Sequence, residues 1–292
     1  MPSRVRRTLL YIPGDSARKI EKGAALDVDA VILDLEDGVA SAQKVAAREN
    51  VVSALREVDF GRAERLVRIN AVGSGWESQD LDAVLVASPD GIVLPKTETK
   101  EQVEWIRRRA LETESTSDSN SGDIPLLVTI ESARAWINIR EIISADERVD
   151  AILFGAEDYL ADVGGVRSSS GLELLAIRSS IVAYAAAFDI QAIDMVYTHI
   201  HDTGGLLLET KQAAQIGFSG KQAIHPKQVP IIQQLFTPSD EEIATARKLV
   251  EAFEAQCDSG SGVFVYEERM IDLPAIKSAR EVLEKARVAG KI

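Results

Sequence analysis

Four acids and three cations stand at positions where they could work together: Glu36 in ILDLEDGV, Glu131 in TIES, Glu157 and Asp158 in LFGAEDY, Arg68 in VRIN, and the pair Arg18 and Lys19 in DSARK. Each of the acids follows a short apolar run that suits a strand. If the runs before Glu131 and Asp158 are neighbours, the two carboxylates lie roughly 4.8 Å apart, one strand spacing. Like charges that close are unfavourable unless a cation bridges them. One or two carboxylates completed by waters is a site that suits Mg²⁺, which dehydrates reluctantly. A plain structural reading stands beside this one, with Glu131 opening the helix of ESARAWINIR and Asp158 favoured at a helix N-terminus by the dipole. Arg68 ends a run too apolar for a sheet edge, so its guanidinium requires an anion. Glu36 and a ligand carboxylate, gripped by the planar fork, are the two candidates. Arg18 and Lys19 fall in the first turns of a helix, where cations oppose the dipole; an anionic ligand such as a phosphate or a solvated surface accounts for them.

Other candidates are weaker. GFSGKQAIH, residues 217–225, looks like a phosphate-gripping glycine turn but lacks the Walker spacing. His199 and His201 are two apart, which on a strand points them to opposite faces and disfavours a paired metal site. With one cysteine, Cys257, and three histidines, thiolate clusters are excluded, and a metal is expected to be a hard ion on oxygen ligands. None of the strand-end lysines reads as buried, so no Schiff-base lysine is expected.

These residues must be carried by an alternation of strands and helices. Candidate strands are 7–13, 29–36, 64–70, 90–96, 125–131, 150–158, 191–197 and 216–224, with helices expected over 16–26, 41–57, 78–86, 100–113, 132–144, 171–188 and 204–215. Eight strand–helix units suit a closed (β/α)8 TIM barrel better than an open doubly wound sheet. In such a barrel the loops that follow the strands gather at one mouth, and nearly every strand end here is polar: Asp15, Asp34, Glu36, Asp37, Arg68, Asn70, Lys96, Glu131, Glu157, Asp158, Asp194, Ser219, Lys221 and Gln222. Ser16 or Asp15 is expected to cap the first helix. The segment 114–123 is Ser/Asp-rich and reads as a surface loop. After Pro238 the pattern changes to a helix opened by a capping box, Ser239 with Glu242. A Gly/Ser hinge at 258–262, a strand-like VFVYEERMIDLP and a last helix, 274–288, follow. The expected domains are a catalytic barrel over 1–236 and a C-terminal helical lid over 237–292, free to pack on its own barrel or on a neighbour's.

Composition narrows the function classes. At 46% hydrophobic and 27% charged the chain is globular, and its formal net charge of −13 argues against nucleic-acid or anionic-membrane partners. No apolar run approaches the roughly 20 residues needed to span a bilayer, and Pro13, Gly14 and Asp15 interrupt the N-terminal apolar stretch. The reading is a cytoplasmic protein.

Taken in order, RRTLLYIPG, ILDLEDGV, VRIN, VLPKTE, TIES, LFGAEDY, AIDMVY, GFSGKQAIHPKQV and MIDLP resemble the citrate lyase β-subunit-like branch of the HpcH/HpaI aldolase family, with AIDMVY and GKQAIHP closest to its citramalyl-CoA and malyl-CoA lyases. The resemblance implies a TIM barrel in a homotrimer or a hexamer, Mg²⁺ held by Glu131 and Asp158, and Arg68 at the reacting centre with Glu36 orienting it. It also implies a CoA thioester substrate, bound in part by Arg18 and Lys19, and an aspartate, Asp272, that reaches a neighbouring active site. Backbone N–H groups around Gly155, Ala156 and Glu157 would face the substrate. The expected reaction is retro-aldol cleavage of a 3-hydroxyacyl-CoA to acetyl-CoA and a 2-oxoacid. Alternatives are the β subunit of a citrate lyase complex and the reverse, malate synthase-like condensation.

Overall fold

The computed structural model describes residues 4–114, 124–256, 263–266 and 269–292. Most of the Ser/Asp-rich loop, the 258–262 hinge and Cys257 lie outside the described residues. Eight parallel strands close into a barrel in sequential order: β1 (Thr8–Pro13), β2 (Ala30–Asp34), β3 (Glu64–Arg68), β4 (Gly91–Leu94), β5 (Leu126–Ile130), β6 (Val149–Phe154), β7 (Gln191–Asp194) and β8 (Gly220–Ala223). Helices α1 (Ala17–Ala24), α2 (Lys44–Glu57), α3 (Glu77–Leu85), α4 (Lys100–Glu114), α5 (Ala133–Ile137), α6 (Ile139–Ile143), α7 (Ala156–Val163), α8 (Leu172–Ala187) and α9 (Thr203–Ile216) alternate with the strands. This is the expected (β/α)8 architecture. Among the described residues no helix is long and apolar enough to cross a membrane.

The period of two along each strand decides what enters the barrel. Leu9, Ala30, Ile32, Leu66, Val93, Leu127, Ala151, Leu153 and Ile193 form one buried interior cluster, with Tyr11 packed on it. Continuing the same alternation to the strand ends brings Asp34, Arg68, Thr129 and Gln222 onto the inner face at the mouth. The intervening residues, such as Val31, Val67, Val128 and Ile152, face the helices and are equally buried, so the strands read as unbroken apolar runs. The opposite end is sealed by Arg6, fully buried, whose guanidinium bonds Glu64, Asp150 and Gln191.

Several element boundaries differ from expectation. The helix expected over 132–144 is two short helices meeting at Asn138, and 41–57 begins as a 3₁₀ turn, Ser41–Gln43. Ile216 ends α9, and Gly217 follows it in the left-handed region at φ 113°, so β8 starts only at Gly220. A glycine there carries no Cβ penalty and stops the helix. The segments ending in LDLE, VRIN, VLPK and DMVY leave the sheet earlier than expected because their last residues turn out into loops above the barrel, and the expected strand 150–158 stops at Phe154 because Ala156, Glu157 and Asp158 open helix α7.

The chain forms two compact units, Met1–Ile232 and Gln233–Ile292. Helix α10 (Val229–Phe236) carries the chain from one to the other. In the second unit, helix α11 (Asp240–Gln256) starts at the expected capping box, with Glu242 accepting from Ser239 N–H and Oγ and Ser239 Oγ accepting from Glu242 N–H. The strand-like VFVYEERMIDLP is an antiparallel pair, β9 (Val263–Tyr266) and β10 (Arg269–Asp272), before helix α12 (Leu273–Val288), which packs beside α11.

Candidate active site

Arg68 and Asp34 are register partners at the ends of β3 and β2, and the pair is bidentate: Arg68 Nε and Nη2 donate to the two Asp34 oxygens, each at 2.7 Å. The sequence offered Glu36 or a ligand carboxylate as the anion for Arg68, and Glu36 does pair with it, but as the lesser of two protein partners. Asp34 is the main partner, because it shares the inward parity of Ala30 and Ile32, whereas Glu36 lies beyond the strand with its Oε2 at 3.2 Å from Arg68 Nη1. The guanidinium also lies 4.7 Å above the Tyr11 ring. Burial alone would depress Arg68, but Tyr11, Asp34 and Glu36 overcome it and hold the group firmly charged. Gly38 completes the clamp: its N–H donates to Asp34 Oδ2 at 2.9 Å, and a Cβ there would stand 2.4 Å from that oxygen.

Glu36 is buried, and desolvation raises its pKa against the pull of Arg68 and Lys96. Lys96 Nζ meets Glu36 Oε1 at 2.5 Å and both Asp37 oxygens at 3.1 Å. Its backbone is in the left-handed region, φ 50°, just after β4, and this turns its N–H onto Glu131 Oε1. A non-glycine residue held there is a local strain that tertiary contacts must sustain. One residue thus fixes Glu36 through its side chain and Glu131 through its backbone.

Glu131 follows β5 on the inner face and is 6% exposed. Desolvation chiefly, reinforced by the charges of Asp158 and Glu36, pushes its pKa up to about 8. Its Oε2 occupies the space that a side chain on Gly155 would fill, a Cβ there falling 2.5 Å away. Asp158, exposed, lies with Glu157 in the first turn of α7, whose N-cap is Gly155. Thr129 Oγ1 is buried beside them and has no hydrogen-bond partner among the described residues. A cavity of about 290 Å³ joins these groups, lined by Tyr11, Asp34, Arg68, Thr129, Glu131 and Asp158 among others. A raised buried carboxylate, a second carboxylate whose charge it feels, and an unpaired hydroxyl form a donor set that fits a hard cation with an incomplete protein shell. Among the described residues no group of three or more His, Cys, Asp or Glu side chains surrounds a common point, so water or substrate oxygens would complete such a shell.

The sequence profile of the HpcH/HpaI aldolase/citrate lyase family matches residues 7–226. The chain belongs to this family. Human mitochondrial citramalyl-CoA lyase is 36% identical over 299 residues, covering 96% of this chain and 85% of that protein. The citrate lyase β subunit of Escherichia coli K12 is 38% identical over 288 residues, covering 99% and 95%. Among solved structures, the Mycobacterium tuberculosis protein CitE in complex with magnesium, acetoacetate and coenzyme A aligns with a TM-score of 0.79 and 33% identity, over 97% of this chain and 98% of that one.

Within this family fold the remaining sequence candidates divide. Gly155 N–H is spent on Ile130 O at 3.0 Å, so it is no substrate donor; the first-turn amides of Ala156, Glu157 and Asp158 are the ones that precede any intrahelical acceptor. Glu157 pairs with Arg167. Arg18 and Lys19 are exposed on α1, where Ser16 holds the N-cap position without a side-chain bond. His199 and His201 lie in the loop after β7, not on a strand. Gly220 is inside β8, its Cα against the Arg6 carbonyl, so GFSGKQAIH forms no phosphate turn. Lys221 is fully buried, contrary to expectation, yet faces away from the mouth: its Nζ bonds Asp194 and Glu209, each at 2.8 Å. Asn70 also turns away, to Leu35 O and Asp80. Asp272 is the N-cap of α12, accepting from Ala275 N–H. Asp34 and Lys96 figured in the sequence only as members of the polar ring of strand ends and were given no role, and Thr129 and Tyr11 were not singled out, although strand parity could have found all but Lys96.

Proposed function

We propose that this chain is a Mg²⁺-dependent carbon–carbon lyase that cleaves a 3-hydroxyacyl-CoA of the citramalyl-CoA or malyl-CoA type into acetyl-CoA and a 2-oxoacid. The observation that carries the reading is Glu131, a buried carboxylate pushed up to about 8 beside Asp158 and across the cavity mouth from a clamped, charged Arg68. Glu131 and Asp158 would hold the metal. Bound there, Mg²⁺ supplies Lewis acidity toward the carboxylate and hydroxyl oxygens of the substrate. Arg68, oriented by Asp34 and by the Tyr11 ring, opposes negative charge that develops on the oxygen at the cleaved bond, and Glu36 shares the guanidinium. The amides that open α7, at Ala156 and Glu157, donate to an oxyanion in the same cavity. Arg18 and Lys19 meet CoA phosphates. Asp272, delivered by a neighbouring subunit of a homotrimer or hexamer, delivers to the acetyl carbon the proton that the substrate hydroxyl gives up as its carbonyl forms.

Purified protein supplied with Mg²⁺ and either ester should release free pyruvate or glyoxylate. Glu131→Gln and Asp158→Asn should each lower kcat/KM by about 100-fold or more with the fold intact. Full activity in either variant overturns the assignment. The similarity to the Escherichia coli β subunit supports a second reading, action on a carrier-bound citryl thioester within a larger complex. That reading requires the isolated chain to be inert toward free CoA esters.

A further inference from the structure

The first turn of α7 holds Asp158, yet little in its own sequence fixes it. Gly155 gives it no side-chain cap, and the loop that leaves the helix contains Gly164, Gly165 and Gly171, two of them in the left-handed region. Arg167 returns from that loop and bridges three elements. Its Nη1 donates to Glu157 in the first turn, and its Nη2 donates to Val196 O after β7 at 3.2 Å and to Glu209 Oε2 on α9 at 2.6 Å. Glu209 is in turn held by Lys221 in β8, and Lys221 by Asp194 in β7, which Arg178 of α8 also grips through two 3.0 Å bonds. Lys221, Asp194 and Arg178 are wholly buried. Three cations and three carboxylates alternate along this chain, so it is electroneutral and anchored in the barrel wall.

We propose that Arg167 is a positioning residue: it ties the Glu157–Asp158 turn to the buried Glu209–Lys221–Asp194 chain and so sets Asp158 for cation binding. This rests on the reading of Glu131 and Asp158 as the metal ligands. A planar fork that reaches two carboxylates and a carbonyl at once cannot be replaced by a lysine's single ammonium. Partners that orient a ligand commonly govern metal affinity by about 10–100-fold.

The test is calorimetric titration of Mn²⁺ into the metal-free full-length protein without substrate. Arg167→Ala and Glu209→Gln should weaken binding by about 10-fold or more, with Arg167→Lys between them and the wild type. Their activity should climb toward the wild-type value as Mg²⁺ is raised. A folded Arg167→Ala protein that binds Mn²⁺ with wild-type affinity overturns the tether; if that variant fails to fold, unchanged affinity in Glu209→Gln does the same. If the wild type takes up no Mn²⁺, or Asp158→Asn binds it as the wild type does, the metal reading fails and the tether falls with it.

Discussion

At Glu131 two effects act in one direction, since burial and the nearby carboxylates Asp158 and Glu36 all penalise its ionised form. The consequence for stability follows from linkage. The folded group titrates near 8 against an ordinary value of 4.5, so between those limits the folded chain keeps a proton that the unfolded chain has lost. Stability from this group is complete below about 4.5 and is lost as pH rises through about 8. Thermal melts in chelator should therefore show Glu131→Gln gaining on the wild type as pH increases, by a few kcal/mol at most, and Mg²⁺ should restore the wild type alone. A gap that does not change with pH would count against the raised pKa. In the sequence, Glu131, Asp158 and Arg68 were legible because a barrel displays its strand ends and these are polar where apolar runs stop. Asp34 was legible only as one of several acids, although strand parity aligns it with the interior residues Ala30 and Ile32 and could have singled it out from Asp37. Lys96 was hidden for a different reason: its backbone takes φ 50°, a conformation that tertiary contacts impose and that lysine itself does not prefer.

Elements at the mouth are held by side chains that never reach it. Lys44 of α2 donates to Leu35 O and Glu36 O, each at 2.7 Å, and Asn70 donates to Leu35 O, so the chain leaving β2 is fixed from outside the barrel. Asp194 serves β7 in the same way. Wholly buried between Arg178 and Lys221, it stays charged because those cations outweigh its desolvation and hold its pKa below the usual carboxylate range. Its contribution is present above that ordinary range and disappears as pH falls through the lowered value. Asp194→Asn should destabilise by about 3–5 kcal/mol, measured by urea unfolding at neutral pH, because it removes the charge shared by two buried cations and leaves Lys221 only Glu209 and Arg178 only the Gln212 amide oxygen. The deficit should shrink toward acid pH; a difference below 1 kcal/mol, or one that persists unchanged in acid, would contradict the role. The eight strands were readable from β-branched runs, and so were the helices between them, except that 132–144 is two helices and the start of α7 was read as the end of a strand. Their ends were not readable, because what stops β8 short is the left-handed Gly217 and what splits the helix after β5 is Asn138. Lys221 was misread because alternation sends it to the helix side, opposite Gln222, where Asp194 and Glu209 bury it.

For the whole molecule the open relation is between the barrel unit and the C-terminal unit, and Asp272 is where it becomes testable. Asp272 stands at the junction of β10 and α12 and caps that helix through Ala275 N–H. An alanine there would lose the cap as well as the carboxylate and confuse two effects. Asparagine caps a helix about as well as aspartate but cannot carry a proton, so Asp272→Asn isolates the chemistry. If the residue serves its own barrel, a mixture of Asp272→Asn and Glu131→Gln chains stays inactive, because every chain lacks one essential group. If it serves the next subunit of a closed ring, a site is whole whenever an Asp272→Asn chain receives the aspartate of a Glu131→Gln neighbour. Random exchange at equal amounts makes that about one site in four, so activity should recover to about a quarter of the wild-type value. Light scattering fixes the subunit number beforehand. Verified mixed oligomers with no recovered activity would exclude service to the neighbouring site, and an Asp272→Asn chain with wild-type activity would leave Asp272 only its place as the cap of α12.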